Sequence, residues 1–220
     1  MKYKGIEISW LGHACFRIKD QEGKIIYIDP FQLPNKNYEN EKADIIFITH
    51  SHYDHLSIED IKKIIKNNTL VVSTSDVGSK IRKVGDNLNV KIVEPNQNFE
   101  IDGINVKTVS AYNIGKEFHP KNNSWVGYII GISGIRIYHT GDSDVIPEMN
   151  TIKTDIALLP VGGTYTMNSY EAVKAAEIIK PELVVPMHYG SIVGSKKDAE
   201  SFVDGCKKLR INAVILERED

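Results

Sequence analysis

A chain of 220 residues that is 41% apolar can bury one sizeable core, and a net charge of −2 gives it no general attraction for nucleic acid or anionic membranes. Its two cysteines, at positions 15 and 206, fit buried thiols in a reducing cytoplasm better than a disulfide framework. No apolar run approaches the ~18 residues that span a bilayer, and the first five residues carry no secretory segment, so a soluble single domain over residues 1–220 is expected.

Three apolar segments, 6–10, 14–18 and 24–28, lie between Gly12, the Asp20 to Gly23 turn and Asp29-Pro30, which predicts an opening antiparallel meander. Residues 32–42 are polar and aperiodic, and read as a rim loop. The run Ile45, Ile46, Phe47, Ile48 predicts a strand buried on both faces. Ser57 and Asp60 then predict a capped helix carrying Ile58, Ile61, Ile64 and Ile65 on one face. A strand at 70–73, a short helix at 77–84 and a strand at 90–93 continue the βα alternation.

Asp102-Gly103 between 99–101 and 104–109, and Ser133-Gly134 between 125–132 and 135–139, predict two hairpins separated by an irregular segment, 110–124. Strands at 156–159, 183–185 and 213–216 alternate with helices at 169–179 and 196–209. Each half of the chain thus runs strands first and βα units second, and no solenoid-like repeat is present. This pattern suggests two sheets with helices outside them.

Immediately after the 45–48 run come His50, His52, Asp54 and His55. Capping a helix needs no such set, and crowding three imidazoles together without a metal carries desolvation or repulsion costs. In extended chain i and i+2 point the same way, so His50 and His52 can close on one ion, while Asp54 and His55 diverge at the turn toward a second ion or a shared water. Imidazole and carboxylate donors without thiolate favour zinc, manganese, iron or nickel. Of the other histidines, His119 lies in a polar loop, His188 sits between Pro186 and Gly190 at a strand end, and Asp142 follows Gly141, where an Asx turn is its ordinary job.

The His-x-His-x-Asp-His run resembles the signature of the metallo-β-lactamase superfamily. Gly12-His13, Asp29-Pro30, His119-Pro120, Gly141-Asp142-Ser143 and Pro186-Met187-His188-Tyr189-Gly190 follow in that superfamily's order. The closest texture is that of members similar to ascorbate-phosphate lactonases and, more distantly, to phospholipase D-like enzymes acting on N-acyl phospholipids. This resemblance implies an α/β (α+β) fold, a four-layer αββα sandwich. It implies two divalent ions, zinc foremost: His50, His52 and His119 on the first, Asp54, His55 and His188 on the second, and Asp142 on both. It also disfavours RNA processing, because 220 residues leave no room for the inserted cap domain of those relatives.

Two metal ions lower the pKa of a bridging water and stabilise an oxyanion, so the expected activity is hydrolysis of a small ester-like substrate, a phosphodiester or a lactone. A metal-binding or interaction protein without turnover is the rival reading. Asp54 is the expected catalytic carboxylate. His13 is read as holding a ligand carboxylate or touching substrate, His139 as packing, and Asp29 as orienting the histidine loop, with plain turn-making its rival. Tyr165 and Tyr189 either place hydroxyls over the metals or cover the core rim. Lys36, Lys116 and Lys121 lie in rim loops where a phosphate pocket would need cations. A small-molecule substrate is expected, with neither nucleic acid nor membrane as partner and a homo-oligomer possible.

Overall fold

A computed structural model describes residues 1–85 and 88–219 of the chain, which divide into two compact units: Met1–Glu94 with Glu217–Asp220, and Pro95–Leu216. In the first unit, strands β1 (Lys2–Tyr3), β2 (Ile6–Gly12), β3 (Cys15–Lys19) and β4 (Ile25–Ile28) pair antiparallel in chain order. From β4 the sheet turns parallel through β5 (Ile45–Ile48), β6 (Leu70–Ser73) and β7 (Asn89–Ile92). Parallel neighbours need crossovers, and α1 (Ile58–Ile64) supplies one between β5 and β6. All four residues of β5 are inaccessible to solvent, as a strand buried on both faces requires. Ile46 and Ile48 share a core cluster with Tyr27, Val71, Ile61 and Ile64 on one side of the sheet.

The Ser57 side chain accepts from the Asp60 N–H at 3.2 Å, while the Asp60 carboxylate pairs with Lys63 at 2.7 Å, so the expected capping box is only half formed. The helix expected at 77–84 is shorter than its pattern. A 3-10 turn at Ser75–Val77 leads into α2 (Gly78–Ile81), and Lys83 and Val84 then bond three residues back, to Lys80 and Ile81, tightening the end of the turn. β1 and a 3-10 turn at Pro147–Thr151 had no sequence signal strong enough to predict them.

Residues 217–219 belong to the first unit and fasten its rim loop. The Glu219 N–H donates to Trp10 O at 2.9 Å, and the Arg218 guanidinium donates to Leu11 O at 3.0 Å and Gln32 O at 2.7 Å. The Glu219 carboxylate accepts from Arg17 at 2.8 Å and Lys36 at 2.6 Å, and both cations also pair with Glu41.

The second unit repeats the plan. β8 (Asn98–Ile101), β9 (Ile104–Ser110), β10 (Val126–Ile132) and β11 (Ile135–His139) are antiparallel neighbours, followed by parallel β12 (Ile156–Pro160) and β13 (Leu183–Met187). Both predicted hairpins form, with positive φ at Asp102, Gly103, Ser133 and Gly134, as two-residue turns of this kind demand. α3 (Ser169–Ile179) begins with a complete Asn168/Glu171 capping box and α4 (Lys196–Lys208) with Ser195/Asp198.

The last predicted strand, 213–216, is not a strand. Only Ala213 bridges to Val184, through Val184 N–H to Asn212 O and Val214 N–H to Val184 O. The next rung would need an N–H from residue 186, and Pro186 has none.

Candidate metal centre

Each unit carries a cluster of metal-type donors where its strands end. In the first, β5 delivers the chain into Thr49 and the histidine loop. Asp29, at the end of β4, organises that loop from a left-handed backbone conformation, φ 47°. Its Oδ1 accepts from Thr49 N–H at 2.8 Å, and its Oδ2 accepts from Thr49 Oγ1 at 2.7 Å and from His55 Nδ1 at 2.7 Å. Because the Thr49 hydroxyl gives its one proton to Asp29, it accepts from His50 Nδ1, 2.9 Å away. A single buried carboxylate therefore fixes the tautomer of two histidines and leaves Nε2 of each as the donor atom.

His50 and His52 lie ring to ring at 4.7 Å, and His50 and His55 at 4.2 Å. One donor atom from each of His13, Asp54 and His55 falls within 4.8 Å of the others. His13, also at positive φ, holds Asp54 Oδ2 through Nε2 at 3.0 Å. All of these but His52 are buried. Neutral imidazoles brought this close, with Nε2 as the remaining lone pair on two of them, form a donor set suited to a divalent cation.

In the second unit β11 ends at His139, whose Nδ1 accepts from Gly141 N–H at 3.1 Å and so shapes the turn that presents Asp142. β10 passes so close here that a Cβ at Gly127 would stand 2.6 Å from Thr140 O. Likewise, a Cβ at Gly162 would stand 2.3 Å from His188 O, so the end of β12 can pass His188 only as glycine. His119 is held by its far nitrogen: Nδ1 lies 2.9 Å from Asn113 Oδ1 and 3.1 Å from Tyr165 O. Both are acceptors, so Nδ1 carries the proton, and Nε2 turns its lone pair toward Asp142 Oδ2 at 3.2 Å. His188 Nε2 faces the same oxygen at 3.1 Å. A lone pair aimed at a carboxylate is repulsive unless a cation stands with them, so these residues also fit a metal ion.

Asn113 is the hub of this half. Its amide donates to Asp144 Oδ1 at 3.1 Å and Tyr165 O at 3.0 Å, and its Oδ1 takes both the N–H and Nδ1 of His119. Lys116 locks the same loop, donating to Asp144 at 2.6 Å and Thr166 O at 2.7 Å.

The β-lactamase superfamily domain matches this chain over residues 7–188. The chain belongs to the β-lactamase superfamily. Within it, the chain is 35% identical over 208 residues to a UPF0173 metal-dependent hydrolase of Thermococcus onnurineus, covering 90% of each. It is also 35% identical over 228 residues to one from Archaeoglobus fulgidus, covering 96% of each. The crystal structure of a protein from Parabacteroides distasonis, named as a metal-dependent hydrolase, superposes with a TM-score of 0.85 at 30% identity, over 97% of this chain and 94% of that one. The mixed α/β fold expected from the sequence is thus the superfamily's fold.

Within the superfamily fold the remaining candidates fall as follows. Tyr165 supplies its carbonyl to His119, and its ring packs edge-on against Phe118 at 4.7 Å. Tyr189 is buried, and burial pushes its phenol up to about 12, so it stays protonated at neutral pH. The three rim lysines are each ion-paired: Lys36 with Glu219 and Glu41, Lys116 with Asp144, and Lys121 with Glu148 at 3.0 Å. Sequence reasoning passed over Thr49, Asn113 and Asp144, whose polar types in loops next to ligands were the only signal. Among the described residues no helix is long and apolar enough to cross a membrane.

Proposed function

We propose that the protein is a metal-dependent hydrolase of a small ester-like substrate, a phosphodiester or a lactone, working with two divalent ions. His50, His52 and His119 would hold one ion, Asp54, His55 and His188 the other, and Asp142 both, with zinc the best match to the donor set. When bound, the metals supply Lewis acidity and lower the pKa of water. The observation that carries this reading is the shared presentation of His55 and His119, each committing Nδ1 to a buried acceptor and keeping Nε2 for a cation.

Around the metals this chain's residues divide the remaining work. Asp54 Oδ2 is the proton acceptor best placed for general-base assistance, and His13 Nε2 holds that carboxylate in one orientation. Asp29 and Asn113 keep the ligand imidazoles in the productive tautomer. Cys15 and Cys206 are buried free thiols, which fits a reducing compartment such as the cytoplasm.

Elemental analysis of purified protein is expected to find close to two transition-metal ions per chain, and His55→Ala about one. One ion in both would end the dinuclear reading. No turnover of any phosphodiester, lactone or ester by fully metallated protein would favour a metal-binding protein without hydrolytic activity.

A further inference from the structure

Six large apolar or aromatic side chains are well exposed among the described residues, and three of them, Tyr53, Ile114 and Phe118, stand in the loops that carry the metal donors. Scattered apolar exposure is ordinary; its concentration beside ligands is not. In the first unit Tyr53 sits between His52 and Asp54, and its ring meets Phe31 edge-on at 6.0 Å. In the second, Phe118 immediately precedes His119 and stacks edge-on against Tyr165. That aromatic pair is registered to the metal donors by more than proximity. The Tyr165 carbonyl holds His119 Nδ1, and the Asn113, Asp144 and Lys116 bonds fix the loop between Tyr112 and His119. Lys36, Lys116 and Lys121 are each already ion-paired with a carboxylate.

We infer that the substrate is an uncharged ester or lactone whose acyl arm is apolar and seats on the Phe118–Tyr165 pair, rather than a phosphorylated compound. This rests on the hydrolase reading above and narrows it. The reaction needs no further reactant: water's hydroxyl joins the acyl carbon, the carbon–oxygen ester bond breaks, and the remaining proton goes to the leaving oxygen, giving acid and alcohol. A fully buried methylene adds about 0.8 kcal/mol, which is roughly fourfold in affinity, so even a few contacts with the arm are readable.

The test compares p-nitrophenyl acetate, p-nitrophenyl octanoate and p-nitrophenyl phosphate as substrates of the zinc-loaded protein, with calorimetric binding of acetate and octanoate as a second arm. The octanoate ester is expected to exceed the acetate ester at least about tenfold in kcat/KM. Phe118→Ala should bring that ratio toward one, and Phe118→Leu should restore most of it. Octanoate should bind more tightly than acetate, and lose that advantage in Phe118→Ala. Ester hydrolysis without chain-length preference, a ratio unmoved by Phe118→Ala, or preference for the phosphate overturns the inference while leaving the hydrolase reading intact. Absence of hydrolysis of all three compounds, with octanoate still bound more tightly through Phe118, supports the apolar seat and counts against the hydrolase reading, whereas equal binding of octanoate and acetate overturns the seat.

Discussion

Asp29 and His55, 26 residues apart in the chain, meet at 2.7 Å with neither side chain exposed. Because the same Asp29 oxygen also accepts from Thr49, and Thr49 in turn accepts from His50, one negative charge aims two metal donors.

Both Asp29 oxygens accept, so an amide at this position removes the charge and also turns one acceptor into a donor. Asparagine tolerates the left-handed backbone of position 29 and keeps one acceptor oxygen, so Asp29→Asn tests the doubly accepting carboxylate without straining the turn. Metal affinity measured by chelator competition should fall roughly 10- to 100-fold, the usual consequence of losing an orienting partner. Asp29→Ala should in addition destabilise the metal-free protein by about 3 kcal/mol, since buried donors lose their acceptor. Unchanged metal affinity in both variants would reduce Asp29 to a turn former.

Asp54→Asn keeps the shape and loses the proton acceptor. General-base assistance is typically worth roughly 10²- to 10⁴-fold, so turnover of the best ester at saturating metal should drop by about two orders of magnitude or more. Melting of the metal-free variant should match that of the parent. Turnover within a few-fold of the parent would remove Asp54 from the chemistry.

The proposed centre gives Asn113 an effect on metal through His119, whose Nδ1 it holds. Asn113→Ala should therefore weaken binding of one ion about tenfold or more and leave the other untouched. The double variant Asn113→Ala/His119→Ala should bind metal no worse than His119→Ala alone, because partners in one network are not additive. Additive losses would mean that Asn113 serves the site by another route.

Glu219 links stability to pH. Burial by itself would raise its carboxyl, but hydrogen bonds from Lys36 and Ser9 and the charge of Arg17 outweigh this and hold it below the ordinary carboxylate range. A carboxyl depressed in the folded state stabilises above its unfolded pKa, and that contribution disappears as pH falls through the folded one. Urea midpoints taken from pH 7 to pH 3 should thus decline less steeply in Glu219→Gln than in the parent. Parallel declines would show that the 217–219 fastening contributes nothing through charge.

Much of this protein is legible in local sequence because its signals are local. Ile45 to Ile48 declare a doubly buried strand, Asp102-Gly103 and Ser133-Gly134 their turns, and the dense run from His50 to His55 announces metal chemistry within a single loop. Sequence also named Asp29 and the 32–42 rim loop as surroundings of the site, without saying what they touch. Tertiary structure decided matters that depend on hydrogen bonds between distant residues. It gave Tyr165 a role through its carbonyl, 46 residues from His119, where the sequence offered its hydroxyl or a ring covering the core rim. It spent the three rim lysines on nearby carboxylates, and it stopped the last strand at one bridge because Pro186 lacks a donor. Periodicity and residue type report how each segment prefers to be buried, whereas the nitrogen that an imidazole offers is set by whichever acceptor folding brings to its other side.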